Sequence, residues 1–187
     1  MGEIMTNVNK WDNWYKDLAT SPSSFRYGET LTYQLGAAFL SDCTTVEDWG
    51  TGAGGFKRFM PNCIGVDGSD TPHADKKFVD LVTYTTSCEG IYMRHVLEHN
   101  YDWEPILRNA LTSASKKLCI ILFTPLSETD TIELAHNLQH GVDVPDLSLG
   151  KKRFFDIVAE ANPSTVRHNT LKTSTGYGEE TVVYVEK

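Results

Sequence analysis

Several things are scarce or missing in this sequence. It has no apolar run approaching the roughly 20 residues that a membrane span needs, and its N-terminus lacks the pattern of a secretory leader. Its four cysteines, Cys43, Cys63, Cys88 and Cys119, are widely spaced and form no CxxC pair. Thiols placed this way are expected to stay reduced and mostly buried. No internal repeat or low-complexity stretch is present. Lys and Arg number 17 against 25 Asp and Glu, a formal charge of -8, which argues against a non-specific grip on nucleic acid, since that grip needs clustered cations. The clusters that exist, Arg26, Lys57-Arg58 and Lys151-Lys152-Arg153, read as solvated surface. Together these absences point to a cytoplasmic protein.

What is present suits one domain over residues 1–187. The chain is 40% hydrophobic, and its 187 residues are enough for a substantial core. An N-terminal helical part (1–40) precedes an α/β core (44–187). Trp11, Trp14, Tyr15 and Leu18 recur at helical spacing and predict a first helix over 11–20. Ser21-Pro22-Ser23-Ser24 is a loop. Leu31, Leu35, Ala38 and Phe39 predict a second helix over 28–40. Arg26 and Tyr27 read as surface or core rather than ligand contacts.

The most informative stretch is Val46 to Ser69, VEDWGTGAGGFKRFMPNCIGVDGS. It reads as strand (44–49), glycine turn, helix to Met60, strand (63–67), acid. Glycines let a backbone approach a ligand where a Cβ would clash. Asp67, ending the second strand, is placed to take hydrogen bonds from a ribose diol. Two patterns fit the turn. Gly50-x-Gly52-x-x-Gly55 matches the dinucleotide fingerprint, although Asp67 comes sooner than the roughly 20 residues usual there. Asp48 argues the same way, because a carboxylate beside the turn repels a pyrophosphate and suits a ligand carrying an ammonium and a sulfonium.

Asp48-x-Gly50-x-Gly52-x-Gly54 resembles motif I of the class I S-adenosylmethionine (SAM) dependent methyltransferases. A second segment, Arg94-His95-Val96-Leu97-Glu98-His99 after the strand Gly90–Met93, is similar to the signature that follows the fourth strand in the small-molecule, type 11-like members of that family. The resemblance covers about residues 44–125. It implies a doubly wound, mostly parallel seven-stranded sheet, with a C-terminal antiparallel hairpin and N-terminal helices capping the site. It also implies SAM as cofactor. Asp48 would then steer the ammonium end, and Gly50, Thr51, Gly52 and Gly54 would lie along the methionine part. Asp67 would hold the ribose hydroxyls, Gly68 and Ser69 would sit beside the adenine, and Asp80 and Leu81 would flank the ring. Arg94 lines the same crevice and is a candidate grip for an acceptor anion. His95 and His99 are candidate bases, since imidazole titrates near neutrality.

The sequence departs from the family in three ways. Bulky Trp49 sits inside motif I, and is expected to pack under the helix after the turn. The link after Asp67 is short, with Pro72 breaking it, so at most one turn is expected there. The chain is also small. His95-x-x-Glu98-His99 matches a zinc-protease motif as well, but it follows a strand directly and has no obvious third ligand, so no metal is assigned. His136 and His140 repeat the spacing on a polar face.

Further on, Trp103, Ile106, Leu107, Ala110 and Leu111 mark an amphipathic helix, and Lys117–Phe123 a doubly buried strand. Ile132–Leu138 is expected as a short helix and Gly141–Gly150 as a loop. Lys151–Ala161 is expected as the last helix, and Ser164–Thr173 with Glu180–Glu186 as a hairpin. The reading that results is a methyltransferase acting on an O or N of a small-molecule, sugar or lipid-linked acceptor. The alternatives are a non-catalytic SAM-binding module or regulatory subunit, a nicotinamide oxidoreductase and a zinc hydrolase.

Overall fold

The computed structural model describes residues 8–20, 30–138 and 142–187, with the side chains of 17–20 excepted. Arg26, Tyr27, His140 and the loop at 21–24 lie outside the described residues. The elements run α1 (Asp12–Thr20), α2 (Leu31–Phe39), β1 (Val46–Trp49), β2 (Ile64–Val66), β3 (Cys88–Arg94), α3 (Trp103–Ser113), β4 (Ala114–Leu122), β5 (Ile132–Asn137), β6 (Val144–Ser148), α4 (Lys151–Glu160), β7 (Thr165–Lys172) and β8 (Glu179–Glu186).

The main sheet has the order β2-β1-β3-β4-β8-β7. Strands β2, β1, β3 and β4 are parallel, and β8 runs antiparallel to both of its neighbours, β4 and β7. The parallel strands are apolar because helices and loops cover both faces. On one face Trp103, Ile106 and Leu107 of α3 meet Phe154, Ile157 and Val158 of α4. Fully burying each Leu or Ile there is worth roughly 1.5–3 kcal/mol. On the other face Leu35 and Phe39 of α2 pack with Phe56 and Tyr92. Strand β7 is the exposed edge, and Arg167 and Lys172 on it are the charges that discourage pairing with another chain.

The sheet has six strands among the described residues, not the expected seven. Beyond β2, where a further strand would add, the short link yields only a single bridge from Val66 to Lys76. The helix expected after the glycine turn shrinks to a 3₁₀ turn, Phe56–Arg58. Gly50, Gly52 and Gly54 all take positive φ, each glycine costs a helix about 1 kcal/mol, and Pro61 follows at once. Trp49 therefore has no helix to pack under. Its ring packs on the opposite face against Tyr84, at 5.3 Å, and its Nε1–H donates to Glu47 at 2.8 Å.

The stretch 132–138 is strand β5 rather than helix, and the expected loop contains β6, its antiparallel partner. Val144 and Leu147 of β6 are buried, and His136 ties the two strands through Glu133 and Asp143, each at 2.7 Å. The pairing overrides the helical spacing. Pro145 is tolerated because this two-stranded sheet has only edges.

Candidate active site

The glycine turn hangs from β2. The Gly50 N–H and Thr51 N–H both donate to the Val66 carbonyl, at 2.8 and 3.2 Å. Gly50 has φ +75 and Gly52 φ +50, a left-handed geometry that glycine adopts without strain. A Cβ on Gly50 would meet Val96 at 2.4 Å, and one on Gly52 would meet the Tyr15 hydroxyl at 3.0 Å. The bend is thus held close to the opposing chain. Above it lies a cavity enclosing about 1000 Å³, its open mouth included.

Of the residues singled out in the sequence, Asp48, Gly50, Thr51, Gly52, Asp67, Gly68, Ser69, Leu81, Arg94, His95 and His99 line this cavity. Gly54 and Asp80 do not. Gly54 faces the His73 ring, and Asp80 turns to its own loop, accepting from the Val82 N–H at 2.9 Å. Val79, two residues before Leu81, lines the wall instead. Trp11, Trp14 and Tyr15 of the N-terminal segment and Tyr33 of α2 close the top, so the first two helices do cap the cavity.

Both acids are buried. Asp67 accepts the Gly52 N–H and the Ser69 N–H, each at 2.9 Å. Burial nevertheless lifts its carboxyl to about 6, with those amides pulling the other way. Asp48 accepts the Thr51 hydroxyl at 2.8 Å. Burial raises it to about 7, the bond from Thr51 opposes the rise, and the neighbouring Asp67 charge adds to it. The Tyr92 hydroxyl, on a residue that lines the cavity, is buried with no hydrogen-bond partner among the described residues.

The far end of the cavity is built around Glu180 of β8, which sequence reading did not single out. Its Oε1 accepts the Arg94 guanidinium at 2.8 Å and His95 Nε2 at 2.7 Å. Burial works against this carboxylate, but His95 and Arg94 outweigh it and hold it below the usual range. Arg94 also donates to the Thr32 and Tyr33 hydroxyls, at 3.2 and 3.0 Å. Each of its three nitrogens thus makes a bond within the fold.

His95 stands at φ +57. It is held there by its N–H bond to the Ile121 carbonyl at 3.0 Å and by the Glu180 contact. Burial pushes its pKa down to about 4, against the pull of Glu180. At neutral pH the close contact is therefore a neutral imidazole N–H donating to a carboxylate, not an ion pair.

His99 lies in a 3₁₀ turn, Leu97–His99. With His95 left-handed and this turn tight, the two imidazoles do not share a helix face as a zinc motif needs. No cluster of three or more metal-binding side chains occurs among the described residues. His99 Nδ1 lies 2.9 Å from the Pro145 carbonyl and 3.4 Å from Asp146. A carbonyl only accepts, so Nδ1 carries the proton and Nε2 of the neutral ring carries the lone pair.

A second cavity adjoins the first and shares Trp11, Trp14, His95 and His99 with it. Phe123, Asn137, Asp146 and the 174–176 loop complete its walls. Trp11 and Trp14 read in the sequence only as an amphipathic stripe. Asp146 gave no local signal, because β6 brings it to His99 from nearly fifty residues away.

No family model and no curated protein matches the sequence. Solved structures do match the fold. The 1,6-didemethyltoxoflavin-N1-methyltransferase of Burkholderia thailandensis, with its substrate and S-adenosylhomocysteine (SAH) bound, is 14% identical with a TM-score of 0.65, over 92% of this chain and 81% of that one. The N-methyltransferase NodS of Bradyrhizobium japonicum WM9, complexed with SAH, is 13% identical with a TM-score of 0.58, over 94% and 99%. The magnesium protoporphyrin IX methyltransferase of Synechocystis PCC 6803, with SAH, is 14% identical with a TM-score of 0.60, over 84% and 83%. The chain has the Rossmann-like fold of the class I SAM-dependent methyltransferases.

Proposed function

We propose that the protein is a SAM-dependent methyltransferase acting on an O or N of a small molecule. The observation that carries this reading is the left-handed glycine bend under a deep cavity, with the Asp67 carboxyl bonded to its Gly52 N–H. The residues suit the cofactor's three parts. Asp67 is placed for ribose hydroxyls, and Val79 with Leu81 offers apolar faces for a planar base. Asp48 and the partnerless Tyr92 hydroxyl offer polar contacts for the amino-acid end. The neighbours' bound SAH supports the same reading.

When bound, SAM supplies an activated methyl group on a sulfonium. The chain's part is to hold the acceptor in line with it, and positioning alone is worth up to roughly 7–11 kcal/mol. His99, at the junction of the two cavities, receives the proton of an acceptor O–H or N–H at Nε2, with Pro145 and Asp146 fixing its tautomer. His95 is a positioning residue that ties the end of β3 to Glu180.

The test is thermal. SAM and SAH should raise the melting temperature, and Asp67→Ala should shrink the shift; no shift with either ligand rejects the proposal. Labelled methyl transfer into a cell extract by the purified chain separates an enzyme from a non-catalytic SAM-binding module.

A further inference from the structure

We infer that the second cavity takes an aromatic acceptor bearing no negative charge; this rests on the methyltransferase reading above. Half of its described lining residues carry rings. Trp11 stands edge-on to Trp14 at 6.3 Å and to His99 at 5.1 Å. Phe123 lies 5.1 Å from His99 and 4.9 Å from His95. Walls of indole, phenyl and imidazole offer a planar guest stacking and edge contacts that a saturated one of equal size makes less well.

The polar groups decide the charge. Among the described lining residues are Asn137, Ser174 and Thr175, one carboxylate, Asp146, and no Lys or Arg. Asp146 accepts the Tyr177 hydroxyl at 3.1 Å. Burial works against its charge, but His99 and Tyr177 hold its pKa below the ordinary value, so it is ionised at neutral pH. Arg94, which lines the adjoining cavity, is already matched by Glu180 at 2.8 Å. An anionic acceptor entering here would meet a fixed like charge with no Lys or Arg among the described lining residues to offset it.

The experiment starts from protein saturated with SAH, confirmed by titration calorimetry. Three probes built on one bicyclic skeleton are then added at pH 7: 2-naphthol, 2-naphthoate and decahydro-2-naphthol. Binding is followed by calorimetry and by fluorescence, since two of the four tryptophans line the cavity. The expected result is one-site binding of 2-naphthol, at least about tenfold tighter than either other probe. In Asp146→Asn the gap between 2-naphthol and 2-naphthoate should narrow about tenfold. In Phe123→Leu, 2-naphthol should weaken while SAH affinity holds. Equal or tighter binding of the anion or of the saturated probe overturns the inference, and so does failure of all three to bind. If SAH itself does not bind at the first step, the methyltransferase reading fails, and that outcome is seen separately.

Discussion

The affinity for SAH should depend steeply on pH, and the structure sets the size of the effect. Asp48 has its pKa raised to about 7 by burial and Asp67 to about 6. The ligand is read as needing both in the ionised form, one for an ammonium and one for ribose hydroxyls. Between pH 8 and pH 6 the ionised fraction of Asp48 falls from roughly 0.9 to roughly 0.1, and that of Asp67 from nearly all to roughly half. Apparent affinity scales with the fraction of competent protein, so the dissociation constant should rise about 20-fold over that range. Calorimetry in buffers of different ionisation heat should also find proton release on binding near pH 7. Asp48→Asn keeps an oxygen for the Thr51 hydroxyl, which donates at 2.8 Å in the native chain. Its pH dependence should shrink to about twofold, the part due to Asp67, while its affinity at pH 8 falls by about 10–100-fold with the lost charge-assisted contact. A native profile flat to within about twofold, or a slope unchanged in Asp48→Asn, refutes the assignment.

Three further outcomes follow from buried groups. Glu98 is fully buried and accepts the Phe123 N–H, and burial lifts it from 4.5 to about 7. Its folded pKa is above its unfolded one, so its contribution is present at low pH and lost as pH rises through 7. The loss is about 1.4 kcal/mol between pH 6 and pH 8. Glu98→Gln should flatten the fall in melting temperature over that range, and an unchanged slope counts against the burial argument. Tyr92→Phe removes a buried hydroxyl without a partner among the described residues and should stabilise the ligand-free protein by about 1 kcal/mol in urea unfolding; a loss of stability would mean the hydroxyl is satisfied. Gly50→Ala sets a Cβ 2.4 Å from Val96 at φ +75 and should cost about 2–4 kcal/mol, with an unchanged midpoint as the contrary result.

The parts of the fold legible in the sequence were those whose signal is local. The glycine bend, the apolar run of β4 and the α3 stripe each needed only their own residues. The helix after the bend was misjudged because four glycines in six residues weighed more than the hydrophobic spacing of Phe56 and Phe59. The helix expected at 132–138 failed because β6, a partner from the next segment, decides the conformation. The site divides in the same way. Asp48 and the histidines lie within the two motifs, and Asp67 directly follows β2, the strand after the first motif. Asp146 and Glu180 act through contacts made across 47 and 85 residues respectively (99 to 146 and 95 to 180), and such pairs have no sequence signature in a single chain. Asp80 was expected beside the ring from its residue type, whereas the described cavity wall carries its neighbour Val79, because the direction in which a loop side chain points is not written in its type.

A crystal structure of the protein with SAH tests the central claim most directly. The nucleoside should lie over residues 50–53, with both ribose hydroxyls on the Asp67 carboxylate and the base between Val79 and Leu81. Density for the ligand elsewhere, with the bend empty and Asp67 still bonded only to its own backbone, would contradict that claim.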